Sequence, residues 1–101
     1  MKDILSSIKD QLLVMDARVG DSKAMEKLSG RWQKRLWLYT CRMTNNKEAA
    51  WDITRETWLG IIRDLGKLQH PANFKPWAYK IATNKSIDWI NKYRTNKHVG
   101  I

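Results

Sequence analysis

One cysteine and two prolines in 101 residues rule out several kinds of protein at once. Cys41 has no second cysteine with which to close a disulfide. It also has no neighbour at metal-ligand spacing, and His70 and His98 stand apart from each other and from any carboxylate cluster. No metal and no cofactor is therefore expected. No apolar run approaches the roughly 20 residues that span a bilayer, and no signal-peptide apolar core stands near Met1. Membrane insertion is not expected, and a reducing cytoplasm is the expected location. Strict apolar–polar alternation is missing, and so are internal repeats and low-complexity tracts. There is no glycine-rich phosphate loop and no nucleophile–base pair at usable spacing, so an enzyme is not expected either.

What is present is positive charge, +9 in all, and it is unevenly placed. Residues 1–30 balance five basic against five acidic side chains, and residues 47–74 balance four against four. The excess lies in residues 31–46, with four basic and no acidic residues, and in residues 75–101, with six against one. Localised basicity of this kind suits a polyanion, because every neutralised phosphate releases condensed counterions. It also suits a plain solubilising surface, and charge alone does not separate the two.

Helical periodicity organises the chain into one all-α domain, a compact bundle of about four helices around a Trp-rich core. In the first helix Ile4, Ile8, Leu12 and Met15 share one face, and Gly20 offers an exit before Asp21 or Ser22 caps the next helix. The second helix, about Lys23 to Met43, has an inner stripe of Met25, Leu28, Trp32, Leu36, Tyr39 and Met43. Its opposite face holds Lys27, Arg31, Lys34, Arg35 and Arg42. Gly30, costing about 1 kcal/mol against alanine, is expected to mark a close helix approach or a bend. Asn45 or Asn46 caps a third helix, Lys47 to about Leu65, with Ala50, Ile53, Thr57, Ile61 and Leu65 inward. The connection "GKLQHPANF" then leads, with Pro76 in the first turn, to a last helix ending near Arg94. Trp32, Trp77 and Trp89 fall on core stripes, while Trp37, Trp51 and Trp58 are expected to be partly buried.

Two polar stripes stand out. Glu48, Asp52 and Glu56 stack three like charges on one face of the third helix, with Arg55 and Arg63 near enough to relieve them. This is a solvated face with local ion pairs or a docking face for a basic partner. On the last helix Lys80, Asn84, Ile87, Asn91 and Arg94 line one edge. Two asparagines in mid-helix cost stability without packing benefit. Asparagine can pair a base edge, and lysine and arginine hold phosphates, so this edge is a candidate nucleic-acid surface as well as an ordinary solvated one.

Three segments in order resemble one family. The run "AAWDITRETWLGIIRDL" resembles the "D-L-V-Q-E-T-F-L-R" core of region 2 in bacterial sigma factors of the extracytoplasmic-function (ECF) class. "FKPWAYKIATNKSIDWI" is similar to the "F-x-x-W-L-Y-R-I-A-x-N-x-x-x-D" segment that follows it, and "GDSKAMEKL" to the "G-D-x-x-A-F-E-x-L" opening. The resemblance covers roughly Val19 to Arg94.

The resemblance implies a non-enzymatic role in transcription initiation. The third helix would dock on the clamp helices of core RNA polymerase through Asp52 and Glu56, with Arg55 and Leu59 beside them. The loop and last helix would hold the non-template strand of the minus-ten promoter element as single-stranded DNA, a base being flipped into a pocket. Asn84 matches the family's pocket asparagine and Lys80 a basic position near the strand backbone. Thr83, Ile87, Asn91 and Arg94 extend that surface, and Leu68, Gln69, His70, Ala72 and Asn73 take the place of the loop that wraps the base. An anti-sigma factor is a further partner of such proteins.

The sequence also departs from the family. Arg55 stands where the family has Gln, and the loop has lost its common Gly and acidic residues while gaining His70 and Pro71. Lys80-Ile81 stand about where primary sigma factors carry a tandem aromatic wedge. Residues 1–94 are expected to form the region 2 domain, with residues 95–101 starting a linker to a minus-thirty-five-reading domain and the chain a fragment of a longer protein. Beside this reading stand two others: a basic helical module whose partner is protein, such as an inhibitor or scaffold, and a non-specific nucleic-acid binder.

Overall fold

A computed structural model describes the backbone of residues 2–99 and the side chains of residues 3–94. Four helices follow in order: α1 (Lys2–Arg18), α2 (Ser22–Thr44), α3 (Lys47–Asp64) and α4 (Phe74–Val99). Two 3-10 turns, Leu65–Lys67 and Pro71–Asn73, join α3 to α4. Among the described residues no helix is long and apolar enough to cross a membrane. The last helix continues past Arg94, where the sequence suggested a stop: "TNKH" holds no proline or glycine to break it. The side chains of residues 95–101, and with them the linker reading, lie outside the described ones.

The two tight corners are written in their capping residues. Gly20 takes φ +104°, its amide donates to the Ala17 carbonyl, and the Asp21 amide donates to the Asp16 carbonyl. This is a Schellman end, which glycine accommodates at no steric cost. One residue later Asp21 turns its carboxylate back to accept from the Lys23 and Ala24 amides, 3.0 and 3.2 Å away, and so starts α2. Asn45, left-handed at φ 52°, closes α2, and Asn46 caps α3 by accepting from the Ala49 amide at 3.0 Å. A corner of two residues forces α2 and α3 to run antiparallel and in close contact.

The core is built on Leu28, Trp32 and Leu36 of α2, Trp58 and Ile61 of α3, and Ala78 and Ala82 of α4, closed at one end by Leu65, Leu68 and Phe74. Trp32 meets the edges of Phe74 and Tyr79 at 6.0 and 6.4 Å, and Tyr39 meets Tyr79 at 5.0 Å, geometries the ring quadrupoles favour. Between α2 and α3 the buried Thr40, Thr54 and Thr57 donate to the carbonyls of Trp37, Ala50 and Ile53, so this polar layer is satisfied within each helix. The inner stripe expected for α3 is the observed one: Ala50, Ile53, Thr57 and Ile61 are all buried.

Several packing expectations are corrected. The Ile4, Ile8, Leu12 and Met15 face of α1 points to solvent, while Val14 and Ala17 are buried. The reason is polar: Arg31 reaches from α2 to the Asp10 carboxylate and to both oxygens of Ser6, which fixes that side of α1 inward. Gly30 marks no close approach, for a Cβ added there would meet nothing within 4 Å, and α2 runs through it unbroken. Trp58 is a core residue rather than a partly exposed one, whereas Trp51 is exposed and stacks on Trp37 at 4.9 Å. Trp77 and Trp89, placed on core stripes, are half-buried.

Candidate nucleic-acid edge and docking face

Along α4, Ala78, Ala82 and Ser86 recur every four residues and are buried. Small residues in that row bring α4 close to α3, where Gly60 sits near Ile81. The helix is therefore clamped by one face, and the opposite edge is left outside. Lys80, Asn84, Ile87, Asn91 and Arg94 are all exposed along it, over about 21 Å at the rise of an α-helix. Thr83 is the exception within the expected set. Its hydroxyl donates to the Tyr79 carbonyl at 2.7 Å and lies 2.6 Å from the Tyr39 hydroxyl. Thr83 thus supports the edge from beneath.

The loop before α4 is pinned at both ends. Leu68 is a core residue, 8% exposed, and Phe74 is 2% exposed. Leu68 therefore offers no side chain to a ligand, in contrast to its expected role. The Leu68 and Gln69 carbonyls accept from the Arg18 guanidinium at 2.9 and 3.3 Å. The Asn73 amide donates to the His70 carbonyl, closing the 3-10 turn. Between the anchors Gln69, His70, Ala72 and Asn73 are exposed. Pro71 and Ala72 line a crevice with Trp32, Arg35 and Asp10, and Asn84 is not part of its wall. Arg18, which fixes this loop, was missed in the sequence: a last-turn arginine ordinarily serves its own helix end, and nothing local signals a contact fifty residues away.

The exposed arc of α3 carries Asp52, Arg55, Glu56 and Leu59, flanked by the exposed Trp51 and Ile62. Its two sides differ. Asp52 and Glu56 line a groove shared with Lys85, Asp88, Trp89 and Lys92 of α4. Arg55 and Leu59 line another with Ser29 and Gln33 of α2 and with Trp51. Among the described residues no ion pair reaches Glu48, Asp52 or Glu56. The relief expected from Arg63 goes elsewhere: its guanidinium binds the Asp64 carboxylate at 3.0–3.1 Å. The hydrogen bond from Arg63 holds the Asp64 carboxyl below its ordinary value. No group of three or more His, Cys, Asp or Glu that could hold a metal occurs among the described residues.

An all-helical bundle with an exposed acidic arc on one helix, and a basic, asparagine-bearing edge on the next beside a pinned loop, is the arrangement in which the family resemblance can be checked. The Sigma-70 region 2 family matches residues 28–95, and the chain belongs to that family. It is 32% identical over 77 residues to RNA polymerase sigma factor CarQ of Myxococcus xanthus, covering 76% of this chain and 44% of that protein. To the ECF RNA polymerase sigma factor SigE of Mycolicibacterium smegmatis it is 30% identical over 82 residues, 78% of this chain and 31% of that protein. The chain thus spans less than half the length of these relatives. An NMR structure of an engineered region 2 of sigmaE in complex with GTAAAA aligns with a TM-score of 0.76 at 26% identity, covering 87% of this chain and 90% of that one.

Proposed function

We propose that this chain is the region 2 module of an ECF sigma factor, a non-catalytic subunit that works in the cytoplasm. It docks on the clamp helices of core RNA polymerase through the α3 arc and holds the non-template strand of the minus-ten element along α4. The observation that carries this reading is the exposed Lys80–Asn84–Ile87–Asn91–Arg94 edge, in a fold shared across 87% of the chain with a region 2 in complex with GTAAAA.

The division of labour follows from side-chain chemistry. Lys80 and Arg94 neutralise phosphates and set register without reading sequence. The Asn84 amide carries both donors and an acceptor, which is what pairing a flipped base requires. Unstacking that base costs a few kcal/mol. A loop already fixed by Leu68, Phe74 and Arg18 receives it with little further ordering cost. Asp52 and Glu56, without an ion pair among the described residues, supply the charge that a basic clamp surface takes up, and Leu59 and Trp51 supply apolar contact. An anti-sigma factor that covered this arc would keep the module from polymerase.

The test is binding of a fluorescent single strand containing GTAAAA against a scrambled strand of the same composition. Asn84→Ala is expected to lower affinity for the first more than for the second. Equal losses on both strands would remove Asn84 from any base-reading role.

A further inference from the structure

The outward face of α1 has a regularity of its own. Leu5, Ile8, Leu12, Met15 and Val19 follow one another at steps of three, four, three and four residues, and each is between 46% and 82% exposed. Those steps are the a and d positions of a heptad repeat, the spacing that keeps an apolar seam straight along a neighbouring helix. The opposite side of α1 grips the bundle, through Ser6 and Asp10 bound to Arg31 and through buried Val14 and Ala17. So α1 has two working faces, and the more apolar one is uncovered. Single exposed apolar residues are ordinary, but four in register along α1, with Val19 continuing the row in the turn that ends it, form a patch.

The flanks of the seam indicate what covers it. In this heptad Lys9 and Asp16 are the two e positions, and they carry opposite charge. Both also line the groove between α1 and α2, together with Leu12, Leu13, Gly30 and two basic residues of α2, Lys27 and the Asp10-bound Arg31. A side chain at position 30 would rise into open space there; its absence keeps the groove open for a second helix. When two helices pair antiparallel, e positions face e positions. A second copy of α1 then sets Lys9 against the partner's Asp16, and two-fold symmetry makes the contact twice. Parallel pairing would instead set e against g, where Asp16 meets Gln11 or Arg18, and Arg18 is already held by the Leu68 and Gln69 carbonyls.

We propose that the chain self-associates through α1, two copies packing antiparallel along the Leu5–Ile8–Leu12–Met15–Val19 seam with Lys9 of each facing Asp16 of the other. This goes beyond the sigma factor reading and does not rest on it, since α1 precedes the family match at residues 28–95. A contact of one short helix per copy is smaller than the roughly 800 Å² per partner of a standard interface, so the dimer is weak, with a dissociation constant of about 10–100 μM.

The experiment is sedimentation velocity of the chain over roughly 5–500 μM. Salt is set at about 0.15 M, where the net charge of +9 is screened at long range and contacting pairs are not. The native chain passes from monomer to dimer. Leu12→Lys, an exposed change whose fold is checked by circular dichroism, remains monomeric throughout. Lys9→Glu and Asp16→Lys each place like charges at both flanks and weaken association about tenfold. An equimolar mixture of those two variants regains the native dissociation constant, because unlike copies then match at both flanks. A native chain that stays monomeric across the range overturns the proposal, and so does dimerisation that survives Leu12→Lys. Variants that fail to rescue each other when mixed overturn the antiparallel pairing on which it stands.

Discussion

The Tyr39 and Thr83 hydroxyls lie 2.6 Å apart and join α2 to α4 directly beneath Asn84. Thr83 spends its own hydrogen on the Tyr79 carbonyl at 2.7 Å, so Tyr39 is the donor in this pair. Tyr39→Phe therefore removes one hydrogen bond and leaves Thr83 with its other partner. The expected cost is about 1 kcal/mol, read as a lower urea midpoint with unchanged slope. A loss beyond about 3 kcal/mol would mean that the ring packing had been disturbed as well.

Asp52 and Glu56 can be altered without cost to the fold. Both are exposed, both lack an ion-pair partner among the described residues, and they repel each other one turn apart. The double change Asp52→Arg/Glu56→Arg is expected to abolish binding to core RNA polymerase. Thermal stability should change by no more than a few tenths of a kcal/mol, because two arginines one turn apart repel as the two acids did. Polymerase binding retained by the folded double variant would deny these residues a docking role.

Lys80 and Asn84 are one turn apart on the same edge and are expected to fail differently. Lys80→Ala should weaken binding to any single strand alike. It should also lower the salt dependence by about 0.7 in the slope of log K against log salt, the loss of one phosphate contact. A salt slope unchanged by the substitution would place Lys80 away from the strand.

Ser86 is fully buried, and its Oγ has no hydrogen-bond partner. A stranded hydroxyl costs what it took to desolvate it, and the row Ala78–Ala82–Ser86 has space for a methyl at each step. Ser86→Ala is expected to stabilise the domain by about 0.5–1 kcal/mol, measured by chemical denaturation. A destabilising result would reveal a partner for that hydroxyl in solution.

The parts of this fold legible in the sequence are those fixed by neighbours in the chain. Asn45 or Asn46 before Lys47 announced the start of α3, Asn46 being the one that caps it, and the stripe Ala50–Ile53–Thr57–Ile61 announced its inner face. The exposed edge of α4 was legible for the same reason. What was not legible depended on distant side chains. The apolar pattern of α1 says that it has an apolar face but not that Arg31 will bind Asp10 and Ser6 and turn that face outward. Leu68 looked like a loop residue until Phe74 and Leu65 closed over it. Tyr39 and Arg18, which hold the edge and the loop in place, act across forty-four and fifty residues, beyond any local pattern.

The polar fastening of α1 has a consequence for the order in which the molecule comes apart. Among its described residues only Val14 and Ala17 are buried, Leu13 packs partly buried against the core, and polar contacts add Arg31 on Asp10 and Ser6 and Arg18 on two carbonyls. Burial so slight gives a helix a low opening free energy, while α2, α3 and α4 share the aromatic core. In hydrogen exchange the amides of α1 would trade with solvent first, well before the global limit. The first helix is then a strap that can lift from an otherwise intact three-helix body.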